Sequence, residues 1–216
     1  MVAAKRSRIY VIAGVNGAGK SSIGGATFRE RGANYYNPDE AATRILARNP
    51  ALSQTDANSA AWHQGVRLLR RAISERKDFA FETTLGANTM PRLLQEAATQ
   101  GIEIHVWYVG LANAQLHIER VQARVRHGGH AIDPELIERR FEQSRINLID
   151  LMPHLTELLV YDNSVDADPA TGKFPKPKQL LHMKAGKIRN LGDLTTSPDW
   201  AKPIIATALK LVKQKR

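Results

Sequence analysis

GVNGAGKSS, residues 14–22, follows directly on the apolar run IYVIA at 9–13 and satisfies the spacing G-x-x-x-x-G-K-[ST]. An apolar strand that breaks into glycines and then enters a helix turns successive backbone N–H groups inward, and the helix adds its positive N-terminal end at the same point. That arrangement holds phosphate. The loop offers Gly14, Asn16, Gly17, Ala18, Gly19, Lys20, Ser21 and Ser22 to a nucleoside triphosphate. Lys20 is expected to reach the β- and γ-phosphates and the Ser21 hydroxyl to ligate Mg²⁺. Ser22 reads as a helix N-terminal residue rather than a second metal ligand.

Working outward, apolar runs alternate with helix-period segments, the signature of βαβ units and a mostly parallel sheet. Strands are expected at 8–13, 33–37, 79–83, 102–109 and 157–161. Helices are expected at 20–31, 38–48 and 57–77, from Asn88 onward, from Asn113 to His127, and from the Asp133-Pro134-Glu135 start to Leu151, with a break at Pro153. Past Asn163 the prolines at 169, 175 and 177 predict a loop, followed by a hairpin at 179–183 and 187–190 and a closing helix at 198–213. The expected fold class is α/β, a three-layer αβα phosphate-loop fold with a five- or six-stranded sheet. It is read as one domain over 1–216, in which 165–216 is a hairpin-and-helix extension.

The 216 residues leave little room for further modules. No stretch approaches the ~18–20 apolar residues of a membrane span, and the N-terminus has no apolar signal region, so a soluble cytoplasmic protein without a membrane partner is expected. The chain has no cysteine, which excludes disulfides and thiolate metal sites. A net charge of +10 calls for acidic partners, either nucleic acid or the phosphates of a transfer site. Much of the excess lies at the two ends, and aromatics make up only 6% of the chain, which offers no stacking platform for nucleic acid.

In an open parallel sheet chemistry gathers at the carboxyl ends of the strands. Here those ends carry Asn37-Pro38-Asp39-Glu40, Glu82-Thr83-Thr84 and Asp162-Asn163-Ser164. Asp39 is placed either to take the proton of an acceptor hydroxyl or to stabilise the N-terminus of the helix that begins at Pro38.

NPDEAA (37–42), FETTL (81–85), ERVQARVRHGGHAIDPELIERRFEQSRINL (119–148) and DNS (162–164) resemble the zeta-toxin-like P-loop kinases, in the family's order and over residues 9–164. The resemblance implies an ATP- and Mg²⁺-dependent kinase acting on the 3′-hydroxyl of the amino sugar of UDP-N-acetylglucosamine, and a small helical antitoxin that covers the nucleotide site. It casts Lys20 and Ser21 as ATP and Mg²⁺ contacts, Asp39 as general base, and Glu82 with Thr84 as holders of the acceptor sugar. Arg120 matches the first phosphate-clamping arginine. The second has no direct match; Arg124 is the preferred substitute and Arg140 the weaker one, a solvated helix face being the alternative for each. His130 reads as a helix-entry or substrate residue, and Asp162 and Asn163 as bordering the adenine. A P-loop kinase of another polar metabolite and a basic nucleic-acid-associated ATPase are the other readings.

Overall fold

The computed structural model describes residues 6–21, 23, 35–165 and 177–214. Five strands run parallel: β1 (Arg8–Ala13), β2 (Tyr35–Tyr36), β3 (Phe79–Thr83), β4 (Glu103–Gly110) and β5 (Glu157–Asp162). A hairpin of β6 (Lys178–Lys184) and β7 (Lys187–Leu191) pairs antiparallel with β5, so the order is β2-β3-β1-β4-β5-β6-β7. The expected hairpin is therefore the edge of the sheet itself, which has seven strands rather than five or six. Of the expected first helix only Lys20, Ser21 and Ile23 are described; Ser22, the rest of that helix and most of the proline-rich loop lie outside the described residues.

The described helices are α1 (Pro38–Arg48), α2 (Gln54–Ser74), α3 (Thr89–Thr99), α4 (Ala114–Arg126), α5 (Pro134–Leu151) and α6 (Lys202–Gln214). Side chains that alternate along each strand divide between two faces. Ile9, Val11, Phe81, Val106, Tyr108 and Val160 belong to the main core with Leu69 of α2, Leu94 of α3, Leu148 of α5 and Ile204 of α6, all buried. Val15, just past β1, packs instead with Ile118 and Val121 of α4 and Ile137 of α5, which fixes those two helices against the phosphate loop.

Helix starts follow local chemistry. The Asn37 side chain accepts from the Asp39 and Glu40 amides, Asn113 from Leu116 and Asp133 from Glu135. Helix α2 begins earlier than its apolar period, because Ser53 caps it by accepting from the Asp56 amide. The break at Pro153 is a 3₁₀ turn, Met152–His154.

At the amino-terminal edge of the sheet Glu157 joins β4, β5 and β6. It accepts from His105 Nδ1 at 3.0 Å, His182 Nε2 at 2.9 Å and Lys184 Nζ at 3.2 Å. Burial alone would raise this carboxyl, but the bonds from His182, His105 and Lys184 outweigh it and bring the pKa down to about 2. A depressed folded pKa means that the stabilisation is complete above the unfolded carboxylate value and is lost as pH falls from there through about 2. Glu157→Gln should therefore cost ~1–2 kcal/mol at neutral pH, after discounting for partial exposure, and the difference from wild type should shrink in melts taken down through that window. An equal difference throughout would show that packing, not charge, holds this edge.

Candidate active site

The carboxyl ends of β1, β2, β3 and β5 lie along one edge, as parallel pairing requires. Gly14 opens the loop with φ +144°, and its amide donates to Thr83 O at 3.2 Å. A Cβ there would stand 2.2 Å from the Val109 carbonyl oxygen, so only glycine lets the loop leave β1 beside β4. Lys20 Nζ donates to Gly14 O at 2.8 Å and to Val15 O at 3.4 Å. Burial pushes the Lys20 ammonium below its ordinary pKa, opposed by the charges of Glu82 and Asp39.

The loop is braced from behind. His117 of α4 is buried, and its Nδ1 lies 2.8 Å from the Asn16 carbonyl, which can only accept, so Nδ1 carries the proton. Burial is the main reason that this ring's pKa falls to about 4, which leaves it uncharged at neutral pH. Asn163, past β5, donates through Nδ2 to Ala18 O at 2.9 Å. Asp162 Oδ1 accepts from the Ser164 hydroxyl and, at 3.3 Å, from the Trp200 indole.

In front of the loop is a cavity of about 460 Å³ whose lining includes Lys20, Asp39, Glu82, Thr84, His130 and Arg140. Because Asn37 takes both first-turn amides of α1, the Asp39 carboxylate does no capping; it is half exposed and lies 3.5 Å from Arg124 Nη1. Glu82 is buried, and its Oε1 accepts from Ser21 Oγ at 2.9 Å and from the Tyr35 hydroxyl. The residue expected beside the acceptor thus also touches the hydroxyl expected at the metal.

The three arginines have different hydrogen-bond partners. Arg140 Nη1 donates to Asn16 Oδ1 at 2.8 Å and is the only arginine lining the cavity among the described residues. Arg124 links Asp39 to the His130 carbonyl, 3.3 Å away. Arg120 lies outside the cavity lining, with Nη2 3.5 Å from Val165 O.

Two further residues went unread in the sequence. Ser144 Oγ donates to Thr84 O at 2.6 Å, and Asn147 Nδ2 to Leu85 O at 2.6 Å and Ala87 O at 3.3 Å. Leu85 sits at φ +53°, an unusual conformation for leucine, and these bonds hold it there. Arg140, Ser144 and Asn147 follow i, i+4, i+7, so one stripe of α5 ties the phosphate loop to the loop after β3. The signal was available, since two small polar residues interrupt what should be the apolar stripe of α5.

Residues 9–146 match the family model described as an AAA domain, AAA_33. An uncharacterized protein of Haemophilus influenzae is 30% identical over 129 residues, which are 59% of this chain and 88% of that protein. Among solved structures, the AvrRxo1-ORF1:-ORF2 complex with ATP aligns at TM-score 0.68 and 12% identity over 95% of this chain, which spans 64% of the matched chain. The PezAT chromosomal toxin-antitoxin system of Streptococcus pneumoniae aligns at TM-score 0.56 and 12% identity, over 98% of this chain and 88% of that one. At such identities the likeness is one of fold, the αβα arrangement of P-loop kinases around a mostly parallel sheet. With the phosphate loop and more than half of its length inside the family model, the chain belongs to the AAA-domain family of P-loop proteins.

Proposed function

We propose that this protein is an ATP-dependent kinase that phosphorylates a hydroxyl of a nucleotide-activated amino sugar, the 3′-hydroxyl of UDP-N-acetylglucosamine by the motif resemblance. The observation that carries the reading is the Asp39 carboxylate, relieved of capping by Asn37 and lining one cavity with Lys20. The acceptor oxygen attacks the γ-phosphorus, the bond to the β–γ bridging oxygen breaks to leave ADP, and the acceptor proton passes to Asp39. Lys20 stabilises the charge that spreads over the transferring group, and Arg140 approaches it from the acceptor side. Arg124 holds Asp39 in place, and Arg120, beside the loop, is the candidate for the nucleotide side.

Ser21 Oγ and Glu82 Oε1, both hard oxygen donors and 2.9 Å apart beyond the loop lysine, suit Mg²⁺. Among the described residues no group of three or more His, Asp or Glu could hold a metal ion. Held by Ser21 and Glu82, the ion would supply positive charge against the phosphates of ATP. Thr84, held by Ser144, and His130 face the acceptor, while Asn163 braces the loop near the nucleotide.

ATP in the AvrRxo1 complex and the antitoxin partnership in the PezAT system support extending both properties to this chain, as a cytoplasmic toxin with a small helical antitoxin. Among the described residues no helix is long and apolar enough to cross a membrane. The test is a mass-spectrometric screen of sugar nucleotides incubated with protein, ATP and Mg²⁺. A gain of one phosphate on UDP-N-acetylglucosamine is expected; a gain only on an unrelated metabolite would replace the acceptor and keep the kinase.

A further inference from the structure

The far wall of the cavity is built from α2 and uses none of the residues assigned so far. Thr55, Asn58 and Trp62 line it at i, i+3, i+7, one face of the helix. Trp62 is 37% exposed, rare for a residue that could be buried, and the His63 ring meets it edge-on with centroids 4.8 Å apart. The Tyr36 hydroxyl donates to the Ala61 carbonyl, which fastens the helix to β2 one residue before the indole. Asn58 Oδ1 accepts from Gln54 Nε2 at 2.9 Å, so its amide hydrogens are left to donate.

The charged lining residues, Lys20, Asp39, Glu82, Asp133 and Arg140, all come from other elements, and the α2 wall carries none. Ile132 and Leu136 add apolar lining from the α4–α5 link and α5. An uncharged slot with an aromatic platform and an amide donor does not suit phosphate or carboxylate, and the amide and the Thr55 hydroxyl do not suit an acyl chain. We infer that the α2 wall docks a planar heterocyclic ring, the nucleobase end of the acceptor, stacked on Trp62 with a ring oxygen or nitrogen accepting from Asn58. The inference rests on the kinase reading only for what that ring is attached to.

The experiment reads binding alone. Full-length protein saturated with Mg²⁺ and AMP-PNP, so that the phosphate loop is filled, is titrated with uridine, cytidine, adenosine, guanosine and free N-acetylglucosamine under saturation-transfer NMR. At least one nucleoside should bind through its base protons, with affinity lower by about tenfold or more in Trp62→Ala and largely kept in Trp62→Phe. Asn58→Leu should weaken the same nucleoside and leave AMP-PNP binding unchanged. If no nucleoside binds, if Trp62→Ala leaves nucleoside affinity untouched, or if only the free sugar depends on Trp62, the inference is overturned. Because no phosphoryl transfer is read, nucleoside binding without any kinase activity would uphold the platform and sink the kinase reading, while the converse would do the opposite.

Discussion

Lys20→Ala is expected to abolish phosphoryl transfer while the protein still folds. The ammonium is the fixed cation nearest the phosphate loop backbone, donating to Gly14 and Val15 carbonyls, and its charge is held among Glu82 and Asp39. A fixed cation aimed at developing charge contributes on the order of 3–4 kcal/mol, so the rate should fall by ~10³-fold. The side chain is no part of the apolar core, so the melting temperature should move by only a few degrees. ADP release assayed beside a thermal melt checks both halves, and a fully active Lys20→Ala protein would end the kinase reading.

Asp39→Asn is the second large effect. Size is kept, the α1 cap is supplied by Asn37, and the residue is half exposed, so stability should be nearly unchanged. The proton acceptor is lost together with the ion pair to Arg124 and the carboxylate's charge beside Lys20 and Arg140, and an exposed pair like that with Arg124 is worth little. Turnover should fall by about 10²-fold or more if Asp39 takes the hydroxyl proton. A normally folded, active variant would leave the carboxylate as a mere partner of Arg124 and move the search for a base to Glu82.

The order of strands and helices was legible because each repeats a short-range pattern. β1 and β3 and helix α1 fall on the expected residues, and Asn113 and Asp133 cap as their positions predict. What escaped the sequence reading depends on partners far along the chain. Nothing local in residues 178–191 says that a hairpin will pair with β5, since the pairing is decided by which edge is left open. The start of α2 was misread although Ser53 and Asp56 have capping spacing, because apolar period was weighed above cap chemistry. The same preference hid Thr55, Asn58 and Trp62, which look like the solvent side of a helix until the cavity is seen. The loop motif announced Lys20 and Ser21, but that Glu82 would meet Ser21 follows only from β3 lying next to β1.

Trp200 packs its indole over Gly110 at the end of β4, where a Cβ would come within 2.5 Å of the ring, and donates to Asp162. The next residue, Asn163, holds the phosphate loop at Ala18. The indole's contact and the loop's contact are therefore one residue apart on the same segment after β5. A substitution that frees the indole, such as Trp200→Ala, is expected to weaken a ligand that needs the loop in this shape without touching a phosphate contact, which titration of that ligand checks. The contacts that shape the phosphate loop thus reach past residue 146, where the family match ends.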